Sequence, residues 1–218
     1  MSNENKFKII FLGDPGVGKS SIINRFSQDK FDSNYQATIG LDFHTKNVMI
    51  ENQNMKLLLY DTAGQEKFRS LIPMYIRDAN IIIIVYDINN KDSFTHTSFW
   101  INEIKDLKRE DSITALVGNK CDMDKKLVTT DEGKNLAKEK GMIFKEVSAK
   151  SGLNIENLFY KDIFDEIAVK YNLKENINIE GGSQNFGDNN SKNENNQKIK
   201  LDKDNDTEEG EVKKKKCC

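Results

Sequence analysis

A glycine-rich segment near the N-terminus has the spacing of a phosphate-binding loop. Residues 13–20 fit the pattern G-x-x-x-x-G-K-[ST], directly after a predicted strand and at the start of a predicted helix. Backbone N–H groups around Gly16 can converge on phosphate oxygens at the positive end of the helix. Lys19 would then reach the β- and γ-phosphates, and the Ser20 hydroxyl would ligate Mg²⁺. The residues predicted to contact the nucleotide here are Asp14, Pro15, Gly16, Val17, Gly18, Lys19, Ser20 and Ser21.

Two later motifs favour guanine over adenine as the base. Asn119, Lys120 and Asp122 form an N-K-x-D motif that follows another predicted strand. A carboxylate at Asp122 can accept hydrogen bonds from N1–H and from the 2-amino group of guanine, whereas adenine has neither donor. Asn119 would hold the loop, and the Lys120 stem would pack on the base. In the segment Ser148–Lys150, after the last predicted strand, the Ala149 N–H would donate to the guanine carbonyl.

A third group of residues could bind Mg²⁺ and the γ-phosphate. Asp61 lies at the end of a predicted strand and would act on Mg²⁺ through a water. The Gly64 N–H can donate to the γ-phosphate, and Gln65 could position the attacking water. Thr38 could ligate Mg²⁺ through its hydroxyl, although a threonine standing alone in a loop would carry no signal. Together these residues predict that the chain hydrolyses GTP to GDP and phosphate.

The elements that must position these motifs are short apolar runs that alternate with helical patterns. This alternation predicts an α/β fold with a mostly parallel sheet, whose ligands bind at the carboxyl ends of the strands. The predicted strands are Lys8–Leu12, Asp42–Ile50, Lys56–Asp61, Ile81–Tyr86, Ile113–Gly118 and Ile143–Val147, with a hairpin turn at Asn52–Asn54. The predicted helices are Ser20–Phe26, Ser98–Leu107, Asp131–Lys140 and Asn154–Tyr171.

The five motifs, in this order, resemble those of the Ras superfamily of small GTPases. Within that superfamily the chain resembles a Rab, because of the segments Ile39–Phe43 and Ala63–Ser70 and its two C-terminal cysteines. The segments Tyr35–Gly40 and Arg69–Asp78 resemble the Golgi-trafficking branch of Rabs. The resemblance implies a P-loop small GTPase domain over residues 1–172, with a six-stranded, mostly parallel sheet and five helices.

The same resemblance implies a function and partners. The expected function is a GTP/GDP switch with Mg²⁺ that hydrolyses GTP and recruits effectors in vesicle trafficking. The expected partners are an exchange factor, a GTPase-activating protein, a GDP-dissociation inhibitor, the prenylation machinery and trafficking effectors. Phe31 matches the aromatic residue that packs on guanine. Phe43, Tyr60 and Tyr75 match an aromatic triad that faces effectors.

Three residues depart from the family pattern. Tyr60 stands where most Rabs carry tryptophan, so we expect a different effector choice. Lys67 stands where arginine is usual. Pro15 lies in the phosphate loop and offers no N–H, which leads to the hypothesis that intrinsic hydrolysis is altered.

Residues 173–218 differ in composition from the body of the chain. Only nine of them are hydrophobic, so they cannot bury enough apolar area to fold and are predicted to be a disordered tail. Four lysines, Lys213–Lys216, precede the terminal Cys217 and Cys218. This ending resembles the Rab double-prenylation signal, in which two lipids give stable anchoring and lysines attract anionic lipid. The expected location is the cytoplasmic face of an internal membrane, with the Golgi favoured, in exchange with the cytosol.

The overall composition excludes several classes of protein. A net charge of −2 excludes a generally basic nucleic-acid binder, and no run of 18 apolar residues occurs that could span a membrane. Apart from the terminal pair, Cys121 is the only cysteine, which excludes a disulfide framework and indicates a reducing compartment. His44, His96 and Trp100 are interpreted as packing or surface residues.

Three alternative functions remain to be distinguished. A P-loop kinase or ATPase would lack a guanine-reading carboxylate, so Asp122 argues against it. A non-hydrolysing guanine-nucleotide-binding scaffold at a membrane would keep the fold but usually lose Lys19, Thr38 or Gln65. A nuclear transport GTPase of the same fold would lack the terminal cysteines.

Overall fold

One six-stranded sheet organises the part of the chain that the structure describes. The computed structural model describes residues 5–33, 40–62 and 72–173. The strands are β1 (Asn5–Leu12), β2 (Leu41–Ile50), β3 (Gln53–Thr62), β4 (Ile81–Asp87), β5 (Ile113–Asn119) and β6 (Ile143–Glu146). They lie in the order β2-β3-β1-β4-β5-β6, and only β2 is antiparallel to its neighbour. The carboxyl ends of β1, β3, β4, β5 and β6 therefore lie along one edge of the sheet.

Five helices, two of them built in two parts, cover this sheet within the described residues. They are α1 (Lys19–Gln28), α2 (Ile72–Asp78), α3 (Lys91–Thr95) followed by α4 (Thr97–Lys105), α5 (Thr130–Glu139), and a π-helix (Asn157–Ile163) that continues as α6 (Phe164–Lys170). None of the described helices is both long enough and apolar enough to cross a membrane. The predicted α/β fold with six strands and five helices is confirmed.

Each face of the sheet carries its own hydrophobic core. Side chains alternate along β1, so Ile9 and Phe11 enter one core whereas Ile10 and Leu12 enter the other. The first core is completed by α1, the π-helix and α6, and the second by α2, α4 and α5. Because both faces are covered, the central strands are buried along nearly their whole length, and the loops at their carboxyl ends start from fixed positions.

The hairpin between β2 and β3 is tighter than predicted. Its turn consists of Glu51 and Asn52, with φ angles of 46° and 60°, and β3 already begins at Gln53. The predicted turn at 52–54 was therefore wrong by one to two residues. Two consecutive residues with positive φ give the twist that joins neighbouring strands most directly.

Periodicity missed three helical features: α2, the short helix α3 and the π geometry of the last helix. The short helix α3 has too few residues for an apolar repeat. Its N-cap is Asn90, whose side chain accepts hydrogen bonds from the N–H groups of Asp92 and Ser93. The last helix has π geometry over Asn157–Ile163 rather than regular α geometry. Its apolar spacing is compatible with either form, so the sequence could not distinguish them.

The hydroxyl of Tyr86 has an unusual environment inside the second core. Tyr86 is fully buried, and its Oη has no hydrogen-bond partner among the described residues. A Cβ at Gly118 or Gly133 would lie 2.7 Å or 2.6 Å from this oxygen, so both glycines make room for it. Burial raises the pKa of Tyr86, and Glu146 and Glu132 raise it further.

Tyr86→Phe should therefore not destabilise the protein and should raise its free energy of unfolding by up to about 1 kcal/mol, because it removes a buried polar group that lacks a partner. Urea unfolding of both proteins measures the difference. The matched control is Tyr171→Phe, whose hydroxyl accepts a hydrogen bond from Asn80 Nδ2 at 3.2 Å and which should lose about 1 kcal/mol. A larger loss in Tyr86→Phe than in the control would contradict the prediction.

Candidate nucleotide-binding site

The phosphate loop leaves β1 and enters α1 through two glycines that approach neighbouring groups closely. Gly13 has φ 141°, and a Cβ there would lie 2.2 Å from the carbonyl oxygen of Val85 in β4. Gly18, the N-cap of α1, has φ 98°, and a Cβ there would lie 2.2 Å from Asn119 Nδ2. Only glycine tolerates this combination of backbone angle and contact. The loop is thereby fixed against the ends of β4 and β5.

Lys19 places a buried positive charge inside this loop. The residue is 6% exposed, and Nζ donates to the carbonyl oxygens of Gly13 at 2.8 Å and Asp14 at 2.9 Å. Burial lowers the pKa of Lys19 to about 8, while the carboxylates of Asp61 and Asp14 partly offset this by raising it. A phosphate group beside the ammonium would add negative charge and raise the pKa further.

A hydroxyl and a carboxylate form the predicted Mg²⁺ site. Ser20 Oγ donates to Asp61 Oδ2 at 2.5 Å. Asp61 is buried near the end of β3, where the strand register pairs it with Phe11 of β1. Mg²⁺ prefers oxygen ligands and is typically held by one or two protein groups together with substrate phosphates. The donor set of Ser20 and Asp61, next to the phosphate loop, therefore fits this ion.

Asn119 joins the phosphate loop to the predicted base loop. Its side chain is buried, and Nδ2 donates to the carbonyl oxygen of Val17 at 2.9 Å. Its Oδ1 accepts a hydrogen bond from the Ala149 N–H at 3.1 Å. One side chain at the end of β5 thus holds segments from three separate regions of the sequence.

The other two residues of this motif are held by specific partners. Lys120 Nζ donates to the carbonyl oxygen of Gly16 at 2.9 Å and pairs with Asp87 Oδ2 at 2.7 Å. Asp122 Oδ1 accepts a hydrogen bond from Ser148 Oγ at 2.6 Å. The carboxylate predicted to read guanine is therefore oriented by the Ser148–Lys150 segment, and the phosphate loop is tied to the base loop at a second point.

A comparison with known families agrees with this geometry. A family model described as the Ras family matches residues 8–168, from β1 to α6. The chain belongs to the Ras family. Members of this family of small GTPases are switches that bind GTP and GDP, typically with Mg²⁺, and act through regulators and effectors. The predicted superfamily is confirmed.

Several predicted site residues of this Ras-family chain lie outside the described residues. They are Thr38, Gly64 and Gln65, together with Cys217 and Cys218 at the C-terminus. The roles assigned to them stay predictions. Within the described residues, Pro15 is exposed in the turn of the phosphate loop, and Phe31 is 37% exposed just after α1.

The donor predicted for the guanine carbonyl already has an acceptor within the protein. The Ala149 N–H donates to Asn119 Oδ1, so a base carbonyl would have to share this donor. Ala149 is buried and the adjacent Lys150 is exposed. Asn119 therefore holds the segment at Ala149, whereas Lys150 is accessible to solvent.

Two residues interpreted as ordinary packing or surface residues contact the phosphate loop. His96 Nδ1 lies 2.6 Å from Asp14 Oδ2, and Trp100 Nε1 donates to Asp14 Oδ1 at 3.3 Å. Trp100 is also buried in the second core, so the packing interpretation was correct but incomplete. Neither residue belongs to a local motif, because more than 80 residues separate them from Asp14.

The three aromatic residues predicted to face effectors form one continuous group. The ring centroids of Phe43 and Tyr60 are 5.9 Å apart, and those of Tyr60 and Tyr75 are 5.4 Å apart. Phe43 is 52% exposed, whereas Tyr60 and Tyr75 are half-buried. The sheet register places Phe43 opposite Tyr60, which explains how the residues from β2 and β3 meet, and α2 supplies Tyr75.

Proposed function

We propose that this Ras-family chain is a Rab-type switch that binds GTP with Mg²⁺, hydrolyses it and changes partners between its GTP and GDP states. The observation that carries the proposal is Asn119, which bonds to both Val17 and Ala149 and so holds a phosphate loop and a base loop together. A phosphate site alone would suit many nucleotides. A phosphate site joined to the carboxylate of Asp122 supports a guanine nucleotide.

In this proposal each residue acts mainly by positioning and by electrostatics, as is general for phosphoryl transfer. Lys19 would bind the β- and γ-phosphates, and Ser20 and Asp61 would hold the metal ion. Bound Mg²⁺ would neutralise negative charge on the phosphates. Gln65 would orient the attacking water, and Thr38 would sense the γ-phosphate. A GTPase-activating protein would supply further charge stabilisation, because no arginine of this chain is assigned to the transferred phosphate.

The nucleotide that copurifies with the protein tests the switch. Gln65→Leu should raise the ratio of bound GTP to GDP, because it removes the amide proposed to orient water. Ser20→Asn should lower that ratio, because it replaces a hydroxyl that would hold Mg²⁺, and the ion would neutralise charge on the terminal phosphates of GTP. Chromatography of the extracted nucleotide measures both ratios.

The control for this experiment is Gln28→Leu, which changes an exposed glutamine at the end of α1. It should leave the ratio unchanged. Equal ratios in all four proteins would refute the proposed switch. Binding of GTP without hydrolysis in the unaltered chain would instead favour a nucleotide-binding scaffold.

The proposal extends to membrane trafficking through the Rab resemblance. The C-terminal cysteines would carry two prenyl groups, and Lys213–Lys216 would add attraction to anionic lipid at roughly 1 kcal/mol per lysine near the surface. The group of Phe43, Tyr60 and Tyr75 would form part of the surface for trafficking effectors. A GDP-dissociation inhibitor would return the chain to the cytosol. The proposed location is the cytoplasmic face of an internal membrane, with the Golgi favoured.

Removal of both terminal cysteines tests the membrane anchor. The double variant Cys217→Ser and Cys218→Ser should move to the soluble fraction of cells, since one lipid or none gives only weak membrane binding. Cys121→Ser is the matched control, because this cysteine lies within the domain and should leave fractionation unchanged. Membrane association that persists in the double variant would contradict the prediction.

A further inference from the structure

Arg25 connects α1 to the segment that follows β6. Its Nε donates to the carbonyl oxygen of Ala149 at 2.9 Å, and its Nη2 donates to the carbonyl oxygen of Lys150 at 3.0 Å. Its Nη1 donates to both the carbonyl oxygen and Oδ1 of Asp29, at 3.0 Å and 2.9 Å. All three guanidinium nitrogens are therefore used, and two of them hold consecutive peptide carbonyls more than 120 residues away.

We propose that Arg25 is a positioning residue for recognition of the guanine carbonyl. This inference rests on the proposed binding of guanine nucleotides. The two carbonyls that Arg25 holds belong to Ala149 and Lys150, in the segment whose Ala149 N–H was predicted to donate to the guanine carbonyl. In a trans peptide the N–H points away from the carbonyl of the same unit. By fixing the Ala149 carbonyl toward α1, Arg25 therefore directs the Lys150 N–H away from α1, where it would serve as a second donor to the base carbonyl beside the shared Ala149 N–H.

The segment is held from two sides by independent groups. Asn119 accepts from the Ala149 N–H, and Arg25 donates to the Ala149 carbonyl, so the same residue is fixed at both ends of its backbone. Ser148, one residue earlier, orients the carboxylate of Asp122. Loss of Arg25 would leave the Asn119 and Ser148 contacts in place and release only the Ala149 and Lys150 carbonyls. Loss of Arg25 should therefore weaken recognition of the guanine carbonyl more than recognition of N1–H and the 2-amino group, which Asp122 is proposed to bind.

The contact geometry requires an arginine rather than any cation. A planar guanidinium offers five N–H donors in a fixed arrangement, whereas an ammonium is a compact charge on a flexible stem. Asp29, the C-cap of α1, accepts a hydrogen bond from Nη1 and so helps to set the plane of the Arg25 guanidinium. A lysine at position 25 could reach one carbonyl but could not reproduce the four contacts. Arg25→Lys should therefore behave like Arg25→Gln in base recognition.

The test compares nucleotide analogues on the full chain. GDP, 6-thio-GDP and IDP differ in the base alone: sulfur replaces the carbonyl oxygen in 6-thio-GDP, and the 2-amino group is missing in IDP. Equilibrium affinities for the three are measured with unaltered protein, Arg25→Gln, Arg25→Lys and the control Arg109→Gln. Arg109 pairs with Asp111 in the segment just before β5, at the opposite end of that strand from Asn119.

Both Arg25 variants should reduce the preference for GDP over 6-thio-GDP by about five-fold, while the preference for GDP over IDP stays within about two-fold. Arg109→Gln should change neither ratio. A uniform loss of affinity for all three nucleotides would show that Arg25 has a purely structural role. No change in any affinity would show that its contacts are not needed for nucleotide binding. Either result would overturn the inference. If the unaltered chain binds no guanine nucleotide, the proposed function fails instead, so the two failures are distinguishable.

Discussion

Lys19→Met is expected to lower the affinity of the chain for GTP and GDP by at least about 100-fold. Hydrogen bonds between an ammonium and phosphate oxygens are charge-assisted, and each contributes about 1.5–3 kcal/mol when buried. Methionine has a similar length and fills the same space without a charge. Titration with a fluorescent GDP analogue measures the loss. A variant that binds within about three-fold of the unaltered chain would contradict the assignment of Lys19 to the phosphates.

The same substitution should not weaken the folded protein, and the pH dependence shows why. The pKa of Lys19 is about 8 in the folded chain, against an ordinary value of 10.5. Between these values the unfolded chain binds more protons than the folded chain, so stability rises with pH through this range, by up to about 1.4 kcal/mol per pH unit. Below pH 8 the folded protein carries the full cost of a buried charge.

Thermal unfolding of the nucleotide-stripped proteins between pH 7 and pH 10 checks this second effect. The unaltered protein should gain stability as the pH rises above about 8, and Lys19→Met should lack that gain. Lys91→Met is a suitable control, because Lys91 is a half-exposed lysine that pairs with Glu132 outside the phosphate loop. A variant that unfolds more easily than the unaltered protein at pH 7 would show that Lys19 stabilises the fold through contacts other than its charge.

The parts of the site that could be predicted from the sequence are those whose residues lie within one short segment. The phosphate loop, its lysine and the N-K-x-D asparagine all depend on a strand that ends directly before a run of glycine and polar residues. Such a pattern is visible in ten consecutive residues. The central strands were predicted for the same reason, because runs such as Ile81–Tyr86 are apolar throughout and are buried on both faces of the sheet.

The residues that were missed act across long separations. Arg25 contacts a segment more than 120 residues away, and His96 and Trp100 contact a loop more than 80 residues away. Arg25 and Trp100 look like ordinary helical residues in their own segments, and His96 lies between α3 and α4. Their roles depend on which helix lies beside which loop, and the order of the strands determines that arrangement. A single sequence contains no local signal for it.

Asn119 shows how a predicted residue can have more partners than its motif suggests. The motif assigns it to the base loop, but the structure also places its Nδ2 against Val17 and next to Gly18, where a Cβ would clash. Glycine is therefore required at position 18 by the position of the Asn119 side chain, besides any requirement from a bound phosphate. Two motifs that appear independent in the sequence are parts of one packed unit.

Asp122→Asn should change the base preference of the chain from guanine to xanthine. Asp122 is proposed to accept hydrogen bonds from N1–H and from the 2-amino group of guanine. Asparagine presents one acceptor and one donor, so it would match N1–H and the 2-oxo group of xanthine but would oppose the guanine amino group with a donor. Because Ser148 Oγ donates to Oδ1 of the same side chain, the amide should keep the position of the carboxylate.

The variant should lose affinity for GDP by about 100-fold, since an unmatched buried donor costs about 1–3 kcal/mol in addition to the lost charge-assisted bond. It should bind XDP more tightly than it binds GDP. Competition between the two diphosphates for the unaltered chain and the variant measures the reversal. Asp124→Asn, which changes an exposed carboxylate two residues away, should bind both as the unaltered chain does. A loss of GDP affinity without a gain for XDP would mean that Asp122 supports the loop but does not read the base.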